Sequence, residues 1–131
     1  MKITETSLPG LLIIEPRVFD DSRGYFFESY QEERYKEGGI HASFIQDNES
    51  KSVRGVVRGL HYQLAPYSQA KLVRVVQGSV YDVAVDLRKG SPTFGKWFGL
   101  ELDGKSKKQL FVPRGFAHGF SVLSETAIFS Y

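Results

Sequence analysis

Two β-branched segments, Lys71 to Val76 (KLVRVV) and Ser79 to Leu87 (SVYDVAVDL), constrain this chain more than anything else in it. Their apolar residues recur at the period of a strand, and only Gln77-Gly78 separates them, which predicts a two-residue hairpin. Further strands are expected at Leu11 to Ile14 (stopped by Pro16), Ser43 to Gln46, Ser52 to Gln63, Phe94 to Leu102, Lys108 to Val112, His118 to Leu123 and Thr126 to Tyr131. Strands spaced roughly 8 to 12 residues apart, with Gly, Pro or Ser between them, belong to sandwiches and barrels. One helix is expected. Ser29 with Glu32 forms a capping box, Gln31 to Lys36 are good helix formers, and Gly38-Gly39 ends the element after about two turns. The predicted fold is therefore all-β with one short peripheral helix.

The length of 131 residues fits a single domain, residues 1–131, around one core. The net charge of +2, with no basic run longer than Lys107-Lys108, argues against a nucleic-acid partner. The run Leu11 to Ile14 is too short for a signal core or a membrane span, so a cytoplasmic location without a membrane partner is expected. There is no Cys, which excludes disulfides and thiolate chemistry. Ten Phe, seven Tyr and Trp97 are many for so short a chain, and aromatics suit strands and concave pockets.

The segment VPRGFAHGF contains Pro113-x-Gly115-x-x-His118. This spacing resembles the second motif of the cupins, in which a tight turn aims a His into the mouth of a double-stranded β-helix, or jelly roll. His61 lies in RGLHYQ, with Gln63 at the next position on the same face and Lys71 downstream. A divalent metal needs about three or four N, O or S ligands. Two histidines beside a lysine do not supply them, so no metal is expected. Lys71 shares its face with Val73 and Val75, which read as core. An inward Lys has a task or a partner; the alternative is an edge-strand Lys that discourages aggregation. Arg58 and His61 have opposite parity, and Gly59 between them suits a bulge that would turn both into one cavity. Arg23 and Glu28 lie on an aromatic loop, and Gln46-Asp47-Asn48 follows a strand end. Arg23, Arg58 and Lys71 together would clamp a diphosphate, since guanidinium matches phosphate bidentately. Tyr131 shares its face with Phe129 and Ala127 and would otherwise read as an ordinary strand aromatic.

The stretches DDSRGYFFES, SFIQDNES, VVRGLHYQ, QAKLVRVVQGSVYDVAVDLRKGSPTFG and LFVPRGFAHGFSVLSETA, in that order, resemble the dTDP-4-dehydrorhamnose 3,5-epimerase family. The resemblance implies a cupin-type jelly roll, a homodimer, no cofactor, a dTDP-4-keto sugar substrate and inversion at C3 and C5. It implies His61 as general base, Lys71 as the cation beside the substrate ketone and Tyr131 as general acid. It also implies substrate-binding roles for Arg23, Glu28, Gln46, Asp47, Asn48, Arg58 and His118. Family members continue well beyond the position of Tyr131, so a single cupin domain lacking its C-terminal part is expected, together with a carboxylate that orients the base. Within this chain Asp82 is the candidate substitute for that carboxylate. The alternatives are a single-site epimerase, a 3,4-ketoisomerase (which would carry a second His where Gln63 stands), a non-catalytic sugar-nucleotide-binding cupin and, more remotely, a metal-dependent cupin.

Overall fold

The computed structural model describes all of residues 1–131. Twelve strands and one helix follow one another: β1 (Lys2–Glu5), β2 (Leu12–Glu15), β3 (Val18–Asp21), β4 (Gly24–Phe27), α1 (Glu32–Glu37), β5 (Glu49–Val53), β6 (Val57–His61), β7 (Lys71–Gln77), β8 (Ser79–Asp86), β9 (Trp97–Asp103), β10 (Gln109–Val112), β11 (Phe116–Val122) and β12 (Thr126–Ser130). They form a six-stranded sheet in the order β1-β2-β10-β7-β12-β5 and a four-stranded sheet in the order β6-β11-β8-β9, with β3-β4 as a separate ribbon. All pairings are antiparallel. The two larger sheets face each other as a jelly roll with one short helix outside, as the sequence predicts.

The core lies between the sheets. Val73 and Val75 of β7, Leu110 and Val112 of β10, and Ala127 and Phe129 of β12 meet Val80 and Ala84 of β8, Leu102 of β9, and Phe116, Phe120 and Val122 of β11. Each large apolar side chain taken wholly out of water contributes about 1.5–3 kcal/mol. A second cluster of Leu12, Ile14, Tyr35, Ile40 and Phe111 covers the outer face of the six-stranded sheet and seats α1 against it. Strand β10 is buried on both faces for this reason.

Several local expectations need correction. β7 and β8 are not a hairpin: β7 pairs with β10 and β12, and β8 pairs with β9 and β11. The chain crosses between sheets at Gly78, whose φ is +83° and where a Cβ would strike the Thr126 carbonyl and Ser124 Oγ. A hairpin and a corner use the same residue types, and packing chose the corner. The helix cap is Gln31 rather than Ser29. Gln31 Oε1 accepts from the Arg34 N–H at 2.7 Å. The Ser29 carbonyl is taken instead by Nε2 of the buried Gln109 (2.7 Å). The segment Ser43 to Gln46 is not a strand. Phe44 packs edge-on against Tyr30 and Phe111, and the segment joins no strand pairing. The stretch Ser52 to Gln63 divides into β5 and β6 around Arg54-Gly55. The aromatic loop around Arg23 is the β3-β4 hairpin. The buried Lys107 holds that hairpin to the body, its ammonium 3.8 Å from the Tyr25 ring centroid. No helix is long and apolar enough to cross a membrane.

Candidate active site

Strand β6 cannot be regular and still aim both Arg58 and His61 inward. The register with β11 changes as required: His61 lies opposite His118, yet Arg58 lies opposite Phe120, so Gly59 and Leu60 together face Gly119. Gly59 has φ +122°, and a Cβ on it would lie 2.7 Å from Gly119 Cα and 2.8 Å from the His118 carbonyl oxygen. Glycine is therefore required both for the backbone conformation and for the close approach. The bulge restores parity. Arg58 points across the interior, where its Nε donates to Oγ of the buried Ser52 on β5 at 2.8 Å. His61 shares a face with its cross-strand neighbour His118.

His118 is buried, and its Nε2 lies 2.9 Å from both carboxylate oxygens of Asp82, which is wholly excluded from solvent. The sequence reading offered Asp82 as a partner for His61; it pairs with His118 instead. The His118 ring stacks on Phe129, with centroids 6.0 Å apart and planes at 19°, and Phe129 in turn stacks on Phe120 at 4.2 Å. Burial pushes the Asp82 carboxyl up from the usual carboxylate range, against the opposing pull of His118 and then of Lys71.

Lys71 starts β7 on the face of Val73 and Val75, facing the core as its parity predicts. Burial lowers its proton affinity and Asp82 raises it. No carboxylate lies within ion-pair distance of its ammonium. The ammonium sits 5.5 Å from the Tyr131 ring centroid. Tyr131 is held through its backbone: its N–H donates to the Asn48 carbonyl (3.0 Å), and its own carbonyl accepts from the Asn48 N–H (2.8 Å). Gln46 Nε2 donates to Asn48 Oδ1 at 3.0 Å, which stiffens the loop.

A cleft of about 720 Å³ opens where Lys71 and Tyr131 meet Gln46, Asp47 and Asn48. It continues along the outer side of the six-stranded sheet, where Arg74 and Arg114 also line it. Sequence reasoning did not single out these two arginines; the signal available was the outward parity of Arg74 relative to Lys71. Arg58, His61 and His118 do not line this cleft; they occupy the inner face of the opposite sheet. Arg23 and Glu28 do not line the cleft. Arg23 is paired with Asp21 (2.7 Å) at the exposed tip of the β3-β4 hairpin, and Glu28 is paired with Arg34 (2.8 Å). Nowhere do three or more His, Asp or Glu side chains gather closely enough to share a metal ion.

The arrangement is suited to moving protons beside a developing negative charge. Lys71 and Tyr131 set a half-buried ammonium beside a phenol, and His61 and Arg58 set an accessible imidazole and a guanidinium on the inner face of the opposite sheet. Comparison with known proteins identifies the family. The family model for dTDP-4-dehydrorhamnose 3,5-epimerases matches residues 5–131. The dTDP-4-dehydrorhamnose 3,5-epimerase of Shigella flexneri is 57% identical over 132 aligned residues, covering 100% of this chain and 73% of that protein. The epimerase of Legionella pneumophila, solved in complex with dTDP-4-keto-L-rhamnose, superimposes with a TM-score of 0.94 at 54% identity, covering 98% of this chain and 69% of that one. A 3'-monoepimerase from Streptomyces bikiniensis, solved as a double mutant with dTDP, superimposes at 0.90 with 32% identity, covering 96% of this chain and 64% of that one.

Proposed function

This chain belongs to the dTDP-4-dehydrorhamnose 3,5-epimerase family, and from that premise we propose that it inverts C3 and C5 of dTDP-4-dehydro-6-deoxy-D-glucose to give dTDP-4-dehydro-L-rhamnose. Hydrogens on C3 and C5 are acidic because the C4 ketone can take the charge as an enolate. His61 removes the proton, since an imidazole exchanges protons near neutral pH. The Lys71 ammonium steadies the enolate oxygen as charge develops there. The Tyr131 hydroxyl returns a proton to the opposite face of the carbon and leaves a phenolate, and exchange with solvent resets both groups. One such cycle at each carbon gives the product, and no metal or organic cofactor enters either. Gln46, Asp47, Asn48, Arg58 and His118 hold the substrate in this scheme, while Arg23 and Glu28 extend the binding surface from the β3-β4 hairpin.

The observation that carries the reading is the Lys71 ammonium seated 5.5 Å from the Tyr131 ring in the wall of the cleft. An electrophile beside a proton donor is the pairing that an enolate intermediate needs. The test is incubation with the dTDP-4-keto-6-deoxyglucose substrate in deuterated water. Deuterium at both C3 and C5 is expected. Deuterium at one carbon would replace the proposal with single-site epimerisation, a reading the resemblance to a monoepimerase keeps in view. Migration of the carbonyl would indicate a ketoisomerase, and dTDP binding without exchange a non-catalytic cupin.

A homodimer acting in the cytoplasm, with residues 1–131 as one cupin domain lacking its C-terminal part, belongs to the same proposal. Support for the dimer comes from the outer face of the four-stranded sheet. There Val57, Leu60 and Tyr81 are exposed around a shallow groove of about 310 Å³, and β6 leaves one edge unpaired. An apolar face of this kind on a soluble chain marks an interface. Sedimentation is expected to give a dimer at micromolar concentration, and a clean monomer would remove that part.

A further inference from the structure

Asp82 has no role in the scheme above, yet it lies at its centre. It is fully buried on the inward face of β8, opposite Phe120 of β11 and Leu100 of β9. The charged and titratable groups facing it are His118 from β11 and Lys71 from β7. A buried carboxylate is an acceptor of several hydrogen bonds, and Asp82 receives donation from one atom only, His118 Nε2, which reaches both oxygens at 2.9 Å. An ionised carboxylate only accepts, so beside ionised Asp82 the hydrogen lies on Nε2, and the Nε2–H tautomer leaves Nδ1 bare. Nδ1 has no hydrogen-bond partner within the protein, and the only sealed side-chain polar atom without a partner is Ser50 Oγ. Nδ1 therefore keeps some exposure although the residue as a whole is buried. The stack of His118 on Phe129 and Phe129 on Phe120 fixes the ring plane, so the direction of that lone pair is fixed as well.

We propose that Asp82 is a positioning residue, holding His118 as the Nε2–H tautomer so that its Nδ1 accepts a hydrogen bond from a sugar hydroxyl. The proposal rests on the reading of this interior as the sugar site. The same carboxylate is the anion that supports the charged form of Lys71, the group facing the substrate ketone. One buried charge thus orders two groups that meet the substrate, without touching it. The carboxylate acts on the sugar moiety and leaves the nucleotide alone, which separates it from a residue that merely keeps the sheets together.

The tautomer is read first, on the unaltered protein, by two-dimensional NMR of the 15N-labelled histidine ring of His118 near neutral pH. The Nε2–H pattern is expected; an Nδ1–H pattern overturns the proposal, and this readout needs no activity. The second measurement uses Asp82→Asn, checked for a native circular dichroism spectrum. Its amide can either accept from Nε2–H or donate to Nε2, so a mixture of tautomers is expected. The kcat/KM for epimerisation should fall roughly 10–100-fold, taking as a guide the cost of removing the partner that orients a metal-bound His, with dTDP affinity unchanged. A folded Asp82→Asn with unaltered kcat/KM overturns the proposal, and so does one that loses dTDP binding in parallel. If the unaltered protein exchanges no deuterium into the sugar, the epimerase reading fails instead, while the tautomer result stands by itself.

Discussion

Strand β8 buries two aspartates on the same inward face, Asp82 and Asp86, and both are wholly excluded from solvent. They are treated in opposite ways. Asp86 accepts five hydrogen bonds: Oδ1 takes the Arg88 N–H and Nε–H, and Oδ2 takes the Arg88 terminal nitrogen and the hydroxyls of Ser91 and Thr93. Arg88 first, and then the two hydroxyls, hold its carboxyl well below the usual carboxylate range against the pull of burial. Asp82 has one imidazole, and burial dominates its proton affinity. A fully satisfied buried charge is a fold element. An undersatisfied one beside a cation and a histidine is available for chemistry.

The largest expected effect breaks the Asp86 end. In Asp86→Asn the amide group presents donors to donors, so Arg88 and at least one hydroxyl lose their acceptor. Removing one partner of a buried pair costs about 3–5 kcal/mol, and the lower part of that range is expected because Arg88 is 31% exposed. Urea unfolding measures it. A loss below about 1 kcal/mol, the size of a single net hydrogen bond, would mean that the five contacts are not a unit. At the other end, Lys71→Met should keep the fold and lower kcat by about 10²–10³-fold, the usual cost of deleting a preorganised charge at a developing oxyanion. A variant as active as the original would leave the Asp82 end with no chemical role to contrast.

The backbone follows the same division. At the Asp82 end the neighbouring strand is specialised, because the bulge at Gly59 sets His61 opposite His118. Gly59→Ala must adopt φ +122° and crowd Gly119. Such strain costs about 1–3 kcal/mol, or else the bulge relaxes and turns Arg58 or His61 outward. Loss of the Arg58–Ser52 contact, seen in a crystal structure of the variant, would accompany a fall in activity. Full activity with that contact intact would show that the glycine serves packing alone.

Much of this was legible from residue parity. Lys71 faces the core because Val73 and Val75 do, and the bulge at Gly59 follows from requiring Arg58 and His61 on one face. Parity identifies the face of a strand but not its neighbours. It therefore read Gln77-Gly78 as a hairpin where the chain turns a corner between sheets. The sequence offers Asp82 as a partner for the base and not for His118, which is 36 residues away and adjacent only because β8 and β11 pair. Ser43 to Gln46 has strand-like residues, but its side chains are used in the aromatic packing around Phe44 and in the wall of the cleft rather than in a ladder. Arg23 and Glu28 were visible as charges in an aromatic context. Their ion-pair partners, Asp21 and Arg34, are local in sequence, so parity and spacing alone do not say that neither charge lines the cleft.

The smallest effect is the one that separates the two aspartates by sign. Asp86 has a lowered native pKa, so it contributes stability above the unfolded-state value near ~3.9 and loses it as pH falls below that point. Asp82 has a raised native pKa, so its contribution is complete below ~3.9 and is lost as pH rises toward the native value. Each group changes the balance by at most about 1.4 kcal/mol per pH unit within its window. Against the unaltered protein, the deficit of Asp86→Asn should therefore shrink as pH is lowered from 5 to 3. Over the same range Asp82→Asn, which retains an acceptor for His118 and sheds a buried charge, should move the other way and gain relative stability as pH is raised. Unfolding curves for the three proteins at both ends of that range measure the two slopes. Parallel slopes would mean that the two carboxylates share one environment, and the contrast between a structural and a chemical aspartate on β8 would be lost.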